Sequence, residues 1–284
     1  MLKNYLSLIK FNHTIFALPF AIIGYFLAIE FTDHVFQWEL LGLVVLCMVF
    51  ARSAAMAFNR LVDQKYDSSN PRTANREIPT GKVSVRFALI YVILNSLAFI
   101  ITTYFINNTC LVLSPVALLI ILGYSYTKRF TFLSHLVLGI GLSLAPIGAY
   151  LAVAETFDLL PLLFSFSIMF WVAGFDIIYA LIDAEFDNEH KLFSIPSSFG
   201  KKNALIISTI FHFICAGFII GAGVYASFGL WYWTGSGIFI GLLFYQHFLV
   251  KPFDLTKVNI AFFTTNGVAS AIFAIFVILD LYIS

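Results

Sequence analysis

The chain has 284 residues, of which 61% are hydrophobic and 11% charged, with a formal net charge of +1 and a mean hydropathy of +0.94. No water-soluble domain of ordinary surface sustains such a composition, so the chain reads as a polytopic membrane protein. The near-zero net charge selects no partner other than the lipid bilayer, and no nucleic-acid partner is expected.

A hydrocarbon core about 30 Å thick takes about 20 apolar residues per helix. Nine such runs follow one another at 14–30, 40–58, 84–105, 110–126, 132–153, 160–182, 204–227, 230–249 and 259–281. Short alternating strands with turn signals are absent, which argues against a β-barrel, and helices satisfy their own backbone groups in lipid. The expected fold class is all-α, nine transmembrane helices around one central cavity, forming a single integral-membrane domain over 1–284. Span one is long and lacks a small-residue cleavage pattern, so it is expected to remain as an anchor. Cys47, Cys110 and Cys215 fall in or beside apolar runs without CxxC spacing and read as small core residues.

Fifteen of the sixteen Lys and Arg residues fall on one side of these spans. Lys3 and Lys10 precede span one, Arg60 to Arg86 join spans two and three, and Lys128 and Arg129 follow span four. Lys191, Lys201 and Lys202 follow span six, and Lys251 and Lys257 follow span eight. The alternate connections carry none. The positive-inside rule then places the N-terminus and the basic loops in the cytoplasm and the C-terminus outside, as an odd number of spans requires. An inner (cell) membrane of bacterial type is the expected location.

The most polar stretch, "NRLVDQKYDSSNPRTANREIP", closes span two, and "DAEFDNEHKLFSIPSSFGK" echoes it after span six. Four spans separate the copies, so both helices point the same way and two pseudo-repeated halves would share one cytoplasmic face. Asn59, Asp63 and Asp67 repeat every fourth residue and share one helix face; Asp183 and Asp187 do the same, with Asp176 and Tyr179 on the same stripe. Carboxylates gathered in this way need cations between them, and hard oxygen donors suit Mg²⁺. Arg72 and Arg76, with Lys128 and Arg129, could grip phosphate oxygens that the metal leaves exposed; Lys191 is a further candidate. A diphosphate presented to a greasy cavity suggests a lipid diphosphate. The loop 68–83 has the length and polarity of a lid or a binding loop.

These residues resemble the UbiA superfamily of intramembrane aromatic prenyltransferases. Its Asn-x3-Asp-x3-Asp motif with Arg-Thr-x2-Arg is matched by Asn59, Asp63, Asp67, Arg72, Thr73 and Arg76. Its Asp-x2-Tyr-Ala-x2-Asp-x3-Asp motif is matched by Asp176, Tyr179, Ala180, Asp183 and Asp187, and its Tyr-x3-Lys element by Tyr124 and Lys128. The resemblance implies Mg²⁺-assisted ionisation of a polyprenyl diphosphate to an allylic cation, which an aromatic acceptor attacks. It also implies a diphosphate contact for Tyr124. The stretches "IKFNHTIFALPFA" and "GYSYTKRFTFLSH" look most like the 4-hydroxybenzoate polyprenyltransferases and the similar enzymes of the futalosine route to menaquinone, which prenylate a dihydroxynaphthoate. Both acceptors are aromatic carboxylates.

Arg52 is the one basic residue well inside a span, where a guanidinium is costly unless paired. It reads either as a grip on the acceptor carboxylate or as the partner of a buried acid such as Asp176. Asp176 reads as a group that orients or deprotonates the acceptor, or as a structural pair. Tyr179 and His13 are candidates for the acceptor pocket, and His135 reads first as a core histidine. A secondary transporter is the competing class, since repeated halves and intramembrane charges also occur there; against it, the acids gather at one face and not at the bilayer midplane.

Overall fold

The computed structural model describes residues 16–283, and these are almost entirely helical. In chain order the helices are α1 Leu18–Phe31, α2 Trp38–Val62, α3 Gln64–Ser69, α4 Val85–Ile106, α5 Asn108–Thr127, α6 Ser134–Ala154 and α7 Leu159–Ala180. A 3-10 turn, Leu181–Asp183, leads to α8 Ala184–Glu189; then come α9 Ile195–Tyr225, α10 Leu230–Leu249, a π-helical turn Ile260–Thr265 and α11 Asn266–Ile283. Each expected apolar run lies on one of these helices. Among the described residues, seven helices are long and apolar enough to cross a membrane.

The boundaries follow from local chemistry. The Ser84 hydroxyl accepts from the Phe87 N–H at 3.2 Å and starts α4. The Asn107 side chain accepts from the Cys110 N–H at 2.7 Å and donates to the Leu151 carbonyl at 2.8 Å, so one residue separates α4 from α5 and ties the turn to α6. Ser194 and Ser197 form a reciprocal capping box at the start of α9. That helix begins nine residues before the expected span at 204, because Ile195 and Pro196 start a first turn that breaks at Gly200 (φ 79°, ψ 158°).

Each long helix packs on the next, and α11 returns to α1, closing a ring that α1 crosses by packing on α6. The crossing depends on Gly24: a Cβ there would stand 2.1 Å from the Pro146 carbonyl oxygen. Tyr25, Phe20, Trp171, Phe239 and Phe273 fill the side of the ring formed by α1, α7, α10 and α11. Outward-facing side chains such as Leu119, Leu230 and Phe248 are more than 70% exposed, which suits lipid and not water.

The structure describes an apolar and a polar cavity that share lining residues. An apolar cavity of about 310 Å³ lies among α2, α4, α5 and α6. A second, polar cavity of about 200 Å³ lies at the end of the bundle that carries both Asp clusters. Tyr124 and Leu138 line both.

Candidate active site

The two Asp motifs are built alike. α2 stops at Val62, and Asp63 takes φ −92°, ψ 6° before the six-residue α3; Asp183 takes φ −96°, ψ 1° before the six-residue α8. The helical register nevertheless continues through the first break. The Asp63 N–H donates to the Asn59 carbonyl at 2.9 Å and the Asp67 N–H to the Asp63 carbonyl at 2.8 Å. Asn59, Asp63 and Asp67 therefore keep one face, and Asn59 Nδ2 donates to Asp63 Oδ2 at 3.0 Å.

The segment 68–83 is a folded strap, not a loose lid. Asn70 Oδ1 accepts from the Arg72 N–H at 2.9 Å while its Nδ2 donates to Asp183 Oδ1 at 3.2 Å, and the Thr73 hydroxyl donates to the Asp67 carbonyl at 3.1 Å. Ile78 and Val83 are buried beneath it against Ala57, Ala88 and Val92. The strap thus joins the first Asp motif to the second.

Each of the four clustered carboxylates meets a different cation. Arg129 Nη2 reaches Asp63 Oδ1 at 3.4 Å, and Arg76 Nη1 donates to Asp67 Oδ1 at 2.6 Å. Arg72 clasps Asp183 through Nε, at 2.9 Å, and Nη2, while its Nη1 donates to the Tyr179 hydroxyl at 2.9 Å. Lys128 Nζ lies 4.0 Å from Asp187 Oδ2. Burial pushes the Asp63 carboxyl up to about 6, against the pull of Lys128, Arg129 and Arg76. Burial works against the Lys128 charge as well, but Asp187, Asp176, Asp183 and Asp63 hold its ammonium above the ordinary value.

The polar cavity is lined by Asn59, Asp63, Asp67, Arg72, Arg76, Tyr124, Lys128, Arg129, Asp176, Tyr179, Asp183 and Asp187. Three candidates stand apart. Arg52 lines the apolar cavity; its Nε has no hydrogen-bond partner, and among the described residues it forms no ion pair. Lys191 is exposed, with φ 54°, and does not line the polar cavity. His13 lies outside the described residues.

Asp176 pairs with His135 and not with Arg52. His135 Nδ1 lies 2.7 Å from Asp176 Oδ2, and its Nε2 accepts from the Ile195 N–H at 3.3 Å. The backbone donor fixes the tautomer: the ring proton sits on Nδ1 and points at the carboxylate. Sequence reasoning also passed over Arg60, which is buried 3.9 Å from Asp67 Oδ2, and Asn70. The spacing of seven between Arg60 and Asp67 was an available signal; the contact between Asn70 and Asp183 had none. A third omission is Phe262, whose ring stacks on Tyr179 at 4.2 Å from the π-helical turn.

The donor set suits a hard divalent cation. Asp67 Oδ2 and Asp187 Oδ2 are buried and accept no hydrogen bond. Among the described residues no three His, Cys, Asp or Glu side chains form a closed metal cluster. Free carboxylate oxygens of this kind fit Mg²⁺, which completes its shell with waters and phosphate oxygens.

A charged cavity that shares Tyr124 and Leu138 with an apolar one, inside an all-α membrane bundle, is the arrangement of a membrane-embedded enzyme. The chain belongs to the UbiA prenyltransferase family, whose model matches residues 17–268, and it is a prenyltransferase. It is similar to the 4-hydroxybenzoate octaprenyltransferase of Aliivibrio fischeri, with 31% identity over 248 residues, covering 85% of this chain and 84% of the relative. The enzyme of the same description from Nitrosomonas eutropha is 30% identical over 235 residues, covering 83% and 82%. Among solved structures, a UbiA homolog from Aeropyrum pernix K1 is 31% identical with a TM-score of 0.85, covering 94% of this chain and 98% of that one. A UbiA homolog from Archaeoglobus fulgidus bound to DMAPP and Mg²⁺ shares the fold at 20% identity, with a TM-score of 0.79 and coverage of 99% and 100%.

Proposed function

We propose that this chain transfers a polyprenyl group from a polyprenyl diphosphate to an aromatic carboxylate of the 4-hydroxybenzoate type, in quinone biosynthesis. The observation that carries the reading is the junction of the two cavities at Tyr124 and Leu138. A prenyl diphosphate fits that division: its chain in the apolar chamber, its diphosphate among the four carboxylates and four cations, its C1–O bond at the junction. Asn59, Asp63, Asp67, Asp183 and Asp187 would hold Mg²⁺, and Arg72, Arg76, Lys128, Arg129 and the Tyr124 hydroxyl would hold the phosphate oxygens. The metal, when bound, neutralises diphosphate charge and makes it a better leaving group.

Bond cleavage leaves its electron pair on the diphosphate and a cation on the prenyl carbon, which an arene carbon attacks to form the new C–C bond. Asp176 then takes the proton lost from the arene, held in place by the Nδ1–H of His135. Arg52, an unpaired guanidinium in the apolar chamber, is the group to bind the acceptor carboxylate. We further propose that α1 and α10 cross the bilayer with the seven long apolar helices as one domain of nine spans, with the charged mouth and N-terminus cytoplasmic and the C-terminus outside, in a bacterial cell membrane. The basic residues that line the mouth and flank it support that orientation.

The test is an assay of the purified protein in detergent with Mg²⁺, prenyl diphosphates of several lengths, and a panel of hydroxybenzoate and dihydroxynaphthoate acceptors, with products identified by mass. A prenylated hydroxybenzoate formed only with a divalent cation is the expected product. Turnover of the dihydroxynaphthoate alone would move the reading to the futalosine route. Turnover of no aromatic acid would overturn it.

A further inference from the structure

We propose that Asn266 and Phe262 are positioning residues for Arg72, acting through the Tyr179 phenol, an assignment that rests on the transfer reaction proposed above. Asn266 opens α11 directly after the π-helical turn Ile260–Thr265 and is fully buried. Such turns are rare and collect at functional sites. Side chains hold this one: the Thr265 hydroxyl donates to the Ile260 carbonyl at 3.2 Å, and Asn266 Nδ2 donates to the Ala261 and Phe262 carbonyls at 3.2 Å and 3.0 Å. Asn266 Oδ1 accepts from Trp171 Nε1 on α7 at 3.0 Å and from Gln246 Nε2 on α10 at 2.7 Å. Both donor hydrogens and both lone pairs of the amide are used, so the turn has one register against α7.

That register decides where Phe262 stands. Its ring stacks on Tyr179 with centroids 4.2 Å apart and planes 25° apart, and it meets Phe175, one turn earlier on α7, edge-on at 5.3 Å. Neither Asn266 nor Phe262 lines the apolar or the polar cavity, whereas Tyr179 lines the polar one, so the turn reaches the chemistry through Tyr179. The Tyr179 hydroxyl accepts from Arg72 Nη1 at 2.9 Å, and the guanidinium carbon lies 5.3 Å from the ring centroid. Arg72 Nε and Nη2 are both on Asp183. When Asp183 turns to the metal, Arg72 gives up those two bonds, and the neutral phenol is the partner that stays. Arg72 then pivots on Tyr179 from a carboxylate to phosphate oxygens. A tyrosine ring has two soft torsions, and stacking on Phe262 removes that freedom before the substrate arrives.

Phe262→Leu, Tyr179→Phe, their double variant and Asn266→Asp, each as the full chain in detergent, test the assignment. The first removes the stacked ring, the second removes only the hydroxyl, and Asn266→Asp keeps an acceptor oxygen while losing both donors to the turn. The readouts are the affinity for inorganic pyrophosphate with Mg²⁺ by calorimetry, the KM of each substrate with kcat, and the melting temperature. Loss of a hydroxyl bonded to a guanidinium weakens pyrophosphate binding about tenfold, and loss of the stack weakens it about three- to tenfold. The double variant matches Tyr179→Phe within about twofold, because Phe262 acts only through the phenol. Asn266→Asp weakens pyrophosphate binding as Phe262→Leu does and also melts earlier, since its carboxylate faces two carbonyls. The acceptor KM stays within about twofold throughout, its proposed anchor Arg52 lying in the other cavity. Losses that multiply in the double variant, unchanged pyrophosphate affinity in Phe262→Leu, or equal losses for both substrates alongside a lower melting temperature would overturn the assignment and leave the turn a packing feature. A rise in acceptor KM alone would also overturn it, by placing Tyr179 in the acceptor pocket. If the wild-type protein binds Mg²⁺ and pyrophosphate yet prenylates no acceptor, the transfer reading fails while the calorimetric cycle still decides the positioning role.

Discussion

Arg52 offers the sharpest separation of substrate binding from structure. It lies seven residues before Asn59 on α2, about 10 Å deeper along the helix. Its Nε is buried without a partner, and Asp176, the acid that could have paired with it, is engaged by His135. Replacing it by Met keeps much of the side-chain volume and removes the charge. If the guanidinium binds the acceptor carboxylate in this apolar chamber, the loss is about 2–5 kcal/mol, the cost of truncating one partner of a buried charge pair. At 1.4 kcal/mol per tenfold, the acceptor KM rises about 30-fold or more, while the KM of the prenyl diphosphate, whose charged group binds in the other cavity, changes far less. The fold should gain, since an unpaired buried charge is removed. Steady-state kinetics with each substrate varied in turn, together with thermal unfolding in detergent, measures both effects. Equal rises in the two KM values, or a marked fall in melting temperature, would refute the acceptor role and assign Arg52 to structure.

Asp63→Asn and Asp183→Asn keep side-chain shape and remove one charge each; transfer should fall at least about a hundredfold with folding retained, and wild-type rates in both would sink the metal assignment. The raised Asp63 carboxyl sets a pH dependence. Because a proton competes with the metal for that oxygen, the Mg²⁺ concentration for half-maximal activity should climb as pH falls through about 6, and a flat Mg²⁺ requirement between pH 5 and pH 8 would contradict it. Gly24→Ala forces a methyl to within 2.1 Å of the Pro146 carbonyl, so α1 and α6 must separate at a cost of about 1–3 kcal/mol. A melting temperature equal to wild type would show that the crossing tolerates it.

Helix positions and the Asp stripes were legible because both depend on local periodicity: apolar runs of bilayer length, and carboxylates four residues apart. Interruptions at Asp63 and Asp183 were not, yet the first leaves its face intact because the i to i+4 hydrogen bonds continue from Asn59 to Asp67. The 68–83 segment has the composition of a lid, and only tertiary contacts of Asn70, Thr73, Ile78 and Val83 make it a strap. The close packing of α1 on α6 is permitted by Gly24, which the sequence presents as one glycine among seventeen. The π-helical turn depends on Asn266, whose Oδ1 accepts from Trp171 Nε1 and Gln246 Nε2 while its Nδ2 donates to the Ala261 and Phe262 carbonyls. Four partners on three elements satisfy one buried amide, and Phe262 is thereby set against Tyr179. No single-residue property announces such a network.

The pairing of carboxylates with cations has a consequence for how the substrate binds. Asp63, Asp67, Asp183 and Asp187 are matched by Arg129, Arg76, Arg72 and Lys128, so the cavity is close to charge-balanced within itself. A diphosphate arriving alone would take the cations and leave four carboxylates facing phosphate oxygens. Mg²⁺ arriving alone would take the carboxylates and leave three guanidiniums and an ammonium crowded around it. Together they exchange partners, carboxylate to metal and guanidinium to phosphate, and every charge remains compensated. Binding should therefore be synergistic: by calorimetry, Mg²⁺ should tighten pyrophosphate binding by about 10-fold or more, and pyrophosphate should tighten Mg²⁺ binding by the same factor. Arg72→Gln, which frees Asp183, should strengthen Mg²⁺ binding alone and weaken pyrophosphate binding alone, reducing the coupling. Equal affinities with and without the second component would show that the ion pairs hold the two Asp motifs together without being exchanged.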